Sequence, residues 1–417
     1  MIFSLKNSRM ISIYNRNTTY LCVLAFVFYQ CVNFLYFPVG VTFGDEERFI
    51  GEAITLSKTG EFWTFGSSRA WEMPLTAIVY SLFYDITQNE IGLIYSVRVF
   101  QSLLLIIQAL LISKILFIIF NNKKAANIAL FTMLFYPFFV FYQGLLLSEN
   151  IFITLLIASF YYLYLWRNHG FKLDKYFILT IFLFTLSIYS KATLSFSPAI
   201  ILTIFYLFND FNIKRAAGIF LASIILLSLF IAPWWVRNYI VFDAFVPFTT
   251  TGAKNLYLGN NLNNKTGGND QRVDWELDFT KQLSHSQYSE LEINEAFKER
   301  AVYFMVTYPE KAAHLMYLKF KRFYNIFPNA PSFNKGYYKW IAVLSYGGVF
   351  FLFIFSVFYN FSYIRVLIPI YLLFGYFTVL HIMFIASLRY RLPLEPFMIL
   401  LASQYVAQMH SKILNQH

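Results

Sequence analysis

The stretch IGLIYSVRVFQSLLLIIQALLISKILFIIF, residues 91–120, decides the fold class of this chain. It is long and apolar enough to cross the hydrocarbon core of a bilayer, which is roughly 30 Å thick. Similar runs recur along the 417 residues, of which 58% are hydrophobic and only 13% are charged. Soluble domains do not have this composition. The sequence therefore predicts an all-α, polytopic transmembrane helical bundle that forms one domain over residues 1–417.

The apolar runs predict about ten membrane spans. A helix needs about 20 apolar residues to cross the core, so the fifth and sixth runs are the shortest candidates. The ten runs lie at residues 18–37, 91–120, 125–142, 145–166, 176–189, 194–208, 216–235, 340–359, 366–387 and 394–409.

Lys and Arg in the short connections set the predicted orientation, because cytoplasmic loops are enriched in these residues. With the N-terminus in the cytoplasm, every short cytoplasmic piece is basic and the C-terminus is cytoplasmic as well. The residues concerned are Lys6, Arg9, Arg16, Lys123, Lys124, Arg167, Lys172, Lys175, Lys214, Arg215, Arg365 and Lys412. This orientation places two large segments, at about residues 39–90 and 237–338, on the extracytoplasmic side.

Both extracytoplasmic segments are predicted to contain helices that lie on the membrane surface. The first has a helix from Asp45 to Lys58 and an apolar helix from Pro74 to Tyr84 that is too short to span. The second starts as a Gly/Asn-rich loop at residues 252–268 and continues in a helix with a capping-box signature at Ser289. Pro309 then begins an amphipathic helix. Its basic residues are Lys311, Lys319, Lys321 and Arg322.

The formal net charge of +11 is spread between the apolar runs. A nucleic-acid partner is not predicted, because such proteins gather their basic residues in one patch. Anionic lipid head groups and phosphate-bearing substrates fit the pattern better. Cys22 and Cys31 both fall in the first span and indicate neither a disulfide nor a metal site.

Ionisable residues collect on the predicted extracytoplasmic face, close to the ends of the spans. Charges sheltered at a membrane are costly, which makes them functional candidates. Carboxylates can take a proton from an attacking hydroxyl, while Arg and Lys can stabilise a departing phosphate. The candidates are Asp45, Glu46, Arg48, Arg69, Glu149, Lys191, Arg237, Asn238, Arg389 and Arg391.

Several short motifs, in this order, resemble the GT-C class of membrane glycosyltransferases, and in particular the bacterial aminoarabinose transferase and protein O-mannosyltransferase group, family 39. They are GDEERF at 44–49, EMPL at 72–75, LSE at 147–149, PWWVRN at 233–238, FVP at 245–247, GNN at 259–261 and RYRLP at 389–393. The resemblance covers nearly the whole chain. One position departs: the aminoarabinose-type relatives have Lys where this chain has Met73. Arg48, Arg69 or Lys191 would then have to make the phosphate contact.

The resemblance implies transfer of a monosaccharide from a polyprenyl-phosphate carrier to an extracytoplasmic acceptor, with inversion at the anomeric carbon. The acceptor would be lipid A, a surface glycan or a protein, and the enzyme would lie in the bacterial inner membrane. Asp45 matches the catalytic carboxylate, Glu46 its acidic neighbour, and Arg48 an arginine near the lipid phosphate. The metal dependence of the family varies, so a divalent cation is an open cofactor that the sequence does not demand.

The sequence leaves two other functions open: a flippase or transporter of lipid-linked oligosaccharides, and an O-antigen ligase or polymerase. A transporter would carry ionisable groups near mid-span, whereas here they gather at one face. Structural roles are open as well. The acidic residues 45–47 can simply favour a helix N-terminus. Lys191, Arg237, Arg389 and Arg391 can anchor span ends among the head groups.

Overall fold

The computed structural model describes residues 15–37, 40–64, 68–195, 197–268, 288–328, 333 and 336–414. These residues form helices joined by short connections, with an isolated β-bridge between Thr64 and Ser68. The predicted all-α fold is confirmed. Lys6 and Arg9, which entered the predicted orientation, lie outside the described residues.

The helices follow one another with few long breaks. In chain order they are α1 (Arg16–Tyr36), α2 (Gly44–Thr59), α3 (Leu75–Thr87), α4 (Glu90–Phe120), α5 (Lys123–Phe135), α6 (Pro137–Tyr142), α7 (Glu149–Asn168), α8 (Lys175–Ser190), α9 (Ser197–Asn209), α10 (Ile213–Phe242), α11 (Thr251–Gly259), α12 (Glu290–Thr307), α13 (Pro309–Phe323), α14 (Gly336–Tyr359), α15 (Phe361–Met383), α16 (Leu388–Arg391) and α17 (Glu395–Leu414).

Six of these helices are long and apolar enough to cross a membrane: α1, α4, α7, α10, α14 and α15. The predicted run at 125–142 is divided into α5 and α6, because Pro137 disfavours the helical conformation at Tyr136, which is extended. The other predicted runs coincide with single helices, several of them short. The count of about ten spans stays a prediction.

Helix α7 lies in the interior of the bundle. Phe152, Leu156, Phe160 and Trp166 on this helix are fully or almost fully buried, and α4 and α8 pack along it. Helices α1 and α10, in contrast, turn large apolar side chains such as Phe34 outwards, as expected for helices that contact lipid.

Buried polar side chains of α4 fix the connection that leads into α7. Arg98 donates from Nε to the Gly144 carbonyl oxygen at 3.0 Å, and Gln101 donates to the Leu145 carbonyl oxygen at 2.8 Å. Ser102 donates to the side chain of Gln143 at 2.8 Å. Buried backbone groups outside helices need such partners. The start of α7 is therefore held in place from within the bundle.

The two segments that were predicted to be extracytoplasmic contain more helix than the sequence indicated. Helix α2 covers the predicted range, and the capping box at Ser289 is confirmed. Residues 252–268 were interpreted as a loop, and this was wrong for the first half of the segment, which belongs to helix α11. The Thr251 hydroxyl donates to the Trp71 carbonyl oxygen at 2.9 Å and attaches the start of α11 to the first outer segment.

Helix α13 is the predicted amphipathic helix, but Lys319 does not lie on its surface. Lys319 is buried and donates to Asn260 Oδ1 at 2.8 Å and to the Met383 carbonyl oxygen at 3.2 Å. Burial lowers the pKa of Lys319 to about 7. Arg322 on the same helix donates to the Ala386 carbonyl oxygen at 3.1 Å. Helix α13 thus packs on the connection between α15 and α16 instead of resting on the membrane alone.

Candidate active site

The first turn of α2 contains three carboxylates, those of Asp45, Glu46 and Glu47. Glu46 stabilises the start of the helix. Glu46 is fully buried. Its Oε1 accepts the backbone N–H groups of Thr42 and Phe43 at 2.8 and 2.9 Å. Its Oε2 accepts the N–H of Leu146, at the entry to α7, at 2.9 Å. Backbone amides thus bind both oxygens of Glu46 and fix it at the start of the helix, and its catalytic part stays a prediction.

Asp45, one residue earlier, takes part in a network of ionised side chains that we call the carboxylate cluster: Asp45, Glu149, Lys191 and Arg389. Arg389 binds Glu149 through Nε and Nη2, the latter at 3.1 Å from Oε2, and it binds Asp45 through Nη1. Lys191 Nζ lies 2.5 Å from Glu149 Oε1. Three predicted site residues from separate parts of the sequence therefore join Asp45 in one network, and Arg389 is the one that binds it directly.

The helix ends explain why these residues meet. Glu149 is the first residue of α7, and Lys191 directly follows α8, which runs antiparallel beside α7. Arg389 lies in the short helix α16 after α15. The positive end of the α7 dipole favours a carboxylate at Glu149. The side chain of Glu149 is only 2% exposed, so its two cationic partners are needed to keep it ionised.

Asp45 is the member of the carboxylate cluster that reaches the surface, with 41% of its side chain exposed. Burial of the rest raises its pKa, but Arg389 and Arg48 outweigh that effect and hold the pKa of this carboxyl below its usual range. Asp45 is therefore ionised at neutral pH and able to accept a hydrogen bond or a proton from a hydroxyl.

Arg48 extends the carboxylate cluster along α2. Its Nη1 lies 3.4 Å from Asp45 Oδ1, and its Nη2 lies 3.0 Å from Glu72 Oε1. Only 10% of its side chain is exposed. Met73, at the position where the aminoarabinose-type relatives have Lys, is buried in the main hydrophobic core.

Three predicted site residues form a different group near Glu290. Arg237 donates to the carbonyl oxygens of Arg69 and Phe62 at 2.6 and 3.2 Å. Asn238 donates to the Val246 carbonyl oxygen at 2.9 Å. The guanidinium of Arg69 lies 4.7 Å from the centre of the Trp63 ring. These contacts join the two segments that were predicted to be extracytoplasmic. Phosphate contacts by Arg69, Arg237 and Asn238 stay a prediction.

Arg391 is also separated from the carboxylate cluster. It is fully buried, binds Glu395 at 2.8 Å and donates to the carbonyl oxygens of Phe323 and Asn325. Its guanidinium carbon lies 3.3 Å from the centre of the Tyr346 ring. Arg391 is therefore part of a buried ion pair in the core, and its contact with phosphate or sugar stays a prediction. Asp45, Arg237 and Arg391 make their side-chain contacts with three different sets of residues.

Two charged residues beside Arg48 were missed by the sequence reasoning. Glu52 lies seven residues after Asp45 on the same face of α2, is 1% exposed, and accepts the Thr64 hydroxyl at 2.5 Å. Burial raises its pKa to about 8. Lys254 on α11 lies with its Nζ 4.4 Å from the centre of the Trp71 ring. The helical spacing of Glu52 was a usable signal, whereas Lys254 looked like any surface lysine of a loop.

A cavity of about 360 Å³ lies away from the carboxylate cluster, between the 261–265 turn and helices α12 and α13. Its polar lining includes Asn264, Lys265, Glu310 and His314. Among the residues that the structure describes, no group of three or more His, Cys, Asp or Glu is placed to hold a metal ion. A divalent cation therefore stays an open cofactor, neither demanded by the sequence nor tested by the structure.

Comparison with solved structures identifies membrane oligosaccharyltransferases as similar folds. The archaeal oligosaccharyltransferase AglB from Archaeoglobus fulgidus, in complex with an inhibitory peptide and a dolichol-phosphate, matches over 95% of this chain and 51% of its own, with 13% identity and a TM-score of 0.58. The apo form of the Archaeoglobus fulgidus oligosaccharyltransferase matches over 93% and 50%, with 13% identity and a TM-score of 0.55.

A third structure, ArnT from Cupriavidus metallidurans bound to undecaprenyl phosphate, covers 94% of this chain and 78% of its own at 13% identity. Its TM-score of 0.45 is too low to support a conclusion. In the sequence comparisons, no family model and no curated protein matches the chain.

The chain spans about half the length of the two oligosaccharyltransferase chains. At 13% identity the likeness shows the fold alone. It confirms the GT-C type of fold that the motifs indicated.

Proposed function

We propose that this chain is a glycosyltransferase that moves a sugar from a polyprenyl-phosphate carrier to an acceptor on the extracytoplasmic side of a bacterial inner membrane. The observation that carries the proposal is the carboxylate cluster: a partly exposed, ionised Asp45 is held by Arg389 next to buried Glu149 and Lys191. The GT-C fold gives this cluster a setting in which lipid-linked sugars are the expected donors.

The proposed reaction is a single displacement. The acceptor hydroxyl attacks the anomeric carbon and passes its proton to Asp45, while the bond from the anomeric carbon to the phosphate oxygen breaks. The polyprenyl phosphate leaves with the electron pair of that bond. Fixed cations stabilise the charge that develops on it, and a planar guanidinium such as that of Arg48 suits phosphate oxygens. The configuration of the sugar is inverted.

Glu149 has a supporting part in this proposal. Its two oxygens hold Arg389 and Lys191, and a buried carboxylate with two cationic partners gives these side chains one fixed geometry. Removing one member of a buried ion pair leaves the others without compensation. Glu149 thus orients Arg389, which in turn orients Asp45.

The proposal is tested by supplying membranes with a panel of radiolabelled polyprenyl-phosphate sugars and lipid-linked oligosaccharides, and following the label into lipid, glycan and protein fractions. Membranes that contain the chain should transfer label from a monosaccharide carrier, and membranes without it should not. Transfer from oligosaccharide carriers alone would replace the monosaccharide donor by an oligosaccharide. Transfer from none of the carriers to any fraction would overturn the proposal.

A further inference from the structure

The cavity between the 261–265 turn and helices α12 and α13 has one rigid wall. This wall is the turn itself, which two asparagine side chains hold in shape. Asn261 Oδ1 accepts the backbone N–H groups of Asn263 and Asn264, both at 3.0 Å. Asn264 Oδ1 accepts the N–H of Gly267 at 2.8 Å. The turn therefore keeps its shape without a ligand, which lowers the cost of binding one.

The floor of this cavity is apolar. Phe304 on α12 and Leu315 on α13 are each 4% exposed and pack with Ala312 in a small hydrophobic cluster. Leu318 lines the cavity beside them. The volume of about 360 Å³ lies at the lower end of the range of ligand cavities, roughly 300 to 1,000 Å³. The space suits a compact ligand with an apolar face.

Polar side chains surround the apolar floor. Lys265 comes from the turn, and three more come from the first two turns of α13: Glu310, Lys311 and His314. All four are exposed at the mouth of the cavity. They offer ammonium donors, a carboxylate acceptor and an imidazole that can donate or accept a hydrogen bond. Because two lysines stand against one carboxylate, the charge of the rim complements a ligand that carries a negative group.

The form of the cavity favours a saccharide over a peptide. A sugar ring has hydroxyl groups around its edge, which both donate and accept hydrogen bonds, and C–H groups on its faces, which pack on apolar side chains. Peptides usually bind along a free strand edge or lay a helix in a long groove. The described residues that line the cavity belong to two helices and a turn and offer no strand edge.

The connection between α15 and α16 links the cavity to the carboxylate cluster. The Ala386 N–H donates to the Gly267 carbonyl oxygen at 3.4 Å. Arg389 follows Ala386 by three residues, and Lys265 precedes Gly267 by two. Because one residue spans at most about 3.6 Å, Lys265 and Arg389 lie within roughly 25 Å of each other. An extended acceptor can therefore occupy the cavity with one part and present a hydroxyl to Asp45 with another.

We propose that the cavity binds a sugar residue of the acceptor that carries a carboxylate or phosphate group, an inference that rests on the proposed function. Lys265 and Lys311 bind the anionic group, and Glu310 accepts hydroxyl groups of the ring. The apolar floor packs against the ring face. The acceptor is then an anionic glycan, which the cavity selects while Asp45 takes the proton of the attacking hydroxyl.

The test measures binding of three matched sugars to the purified full chain in phosphatidylcholine nanodiscs, by ligand-observed NMR titration. Galacturonic acid carries a carboxylate, galactose 6-phosphate carries a phosphate, and galactose is neutral. Wild type should bind one of the two anionic sugars more tightly than galactose, and that sugar identifies the anionic group. Lys265→Met combined with Lys311→Met should weaken this binding by about tenfold, since hydrogen bonds to a charged group are lost. The corresponding pair of arginine variants should keep most of the affinity.

Lys321→Met is the matched control, because Lys321 is an exposed lysine on α13 outside the lining of the cavity. Wild-type affinity in the double methionine variant would overturn the inference, as would equal binding of charged and neutral sugars by wild type. Tighter binding of a short acidic peptide than of any sugar would overturn it too. The label-transfer assay tests the proposed function separately: absence of transfer with intact sugar binding would overturn that function and the acceptor role, but not the sugar site.

Discussion

At the scale of single residues, Arg389 decides how the carboxylate cluster works. It donates hydrogen bonds from Nε and Nη2 to Glu149 and from Nη1 to Asp45. Glu149 is buried and fully engaged, while Asp45 reaches the surface. In the mechanism that we propose, the two carboxylates therefore have different parts: Glu149 fixes the guanidinium, and Asp45 meets the acceptor.

Glu52 gives a prediction on pH. In the folded chain its pKa is raised by burial from 4.5 to about 8. Between these values the folded state holds a proton that the unfolded state has lost, so stability falls as pH rises through this window. Glu52→Gln removes this dependence. Thermal unfolding in detergent should show a smaller loss of stability from about pH 5 to about pH 8 in the variant than in wild type.

Glu310→Gln is the control for that comparison, because Glu310 is exposed on α13, and its pH profile should match that of wild type. Identical profiles for wild type and Glu52→Gln would show that Glu52 ionises normally in the folded chain. Wild type and variant are compared because other ionisable groups also change the stability of the chain between about pH 5 and about pH 8.

The sequence could place Asp45, Arg48, Glu149, Lys191 and Arg389 on one predicted face of the membrane, and the structure joins these five. It could not separate Arg389 from Arg391. The two residues lie two positions apart in one short helix, so their side chains project from different faces of that helix. Which direction faces Asp45 depends on how α16 packs, and that packing is tertiary information.

At the scale of elements, α11 and α13 hold the connection that carries Arg389. Lys319 and Arg322 bind carbonyl oxygens on either side of Phe384 and Ile385. Helix α11 ends at Gly259, where the chain passes directly against the Phe384 carbonyl group. The position of Arg389 therefore depends on close backbone packing some distance away.

Gly259→Ala tests this packing. A Cβ at this position would lie 1.7 Å from the Phe384 carbonyl oxygen, a backbone atom that cannot turn aside. We expect a loss of about 1–3 kcal/mol of stability, the usual range for overpacking, and a lower transfer rate from the folded fraction. Thermal unfolding and activity assays measure both.

Gly252→Ala is the matched control on the same helix, since a Cβ there meets nothing within 4 Å. Alanine also favours a helix over glycine, so stability should be unchanged or slightly higher. Equal unfolding temperatures for Gly259→Ala and wild type would show that the Phe384 contact is not tight.

Helix periodicity and length predicted most elements, including α2, α4, α10 and α13. The errors have local causes. Pro137 divides one predicted span, and the signal of α11 was hidden by the glycines and asparagines around it. Hydrogen bonds to a different outer segment, such as that from Thr251 to Trp71, stabilise α11. Contacts between distant segments cannot be read from local composition.

At the scale of the whole molecule, the carboxylate cluster lies at one end of the bundle, where α7 starts and α8 ends. Helix α2 lies at the same end because it carries Asp45. Helix α11 lies there as well, because Thr251 binds Trp71, the residue before Glu72, and Glu72 pairs with Arg48 on α2. The proposed orientation places this end outside the cytoplasm.

Single cysteines in a background without Cys22 and Cys31 test that orientation. A cysteine at Lys298 on α12 should react with a membrane-impermeant maleimide in intact spheroplasts, because this side chain is exposed and belongs to the second outer segment. A cysteine at Lys412 should react only after the membrane is permeabilised. The reverse pattern would place the carboxylate cluster in the cytoplasm.

The central claim is that Asp45 takes the proton of the acceptor, and the most direct test compares initial rates of sugar transfer for Asp45→Asn and Glu47→Gln. Glu47 is exposed in the same helical turn and serves as the charge-matched control. We predict that Asp45→Asn loses about a hundredfold to ten-thousandfold in rate while donor binding persists, and that Glu47→Gln stays close to wild type. A folded Asp45→Asn variant with the wild-type rate would contradict it.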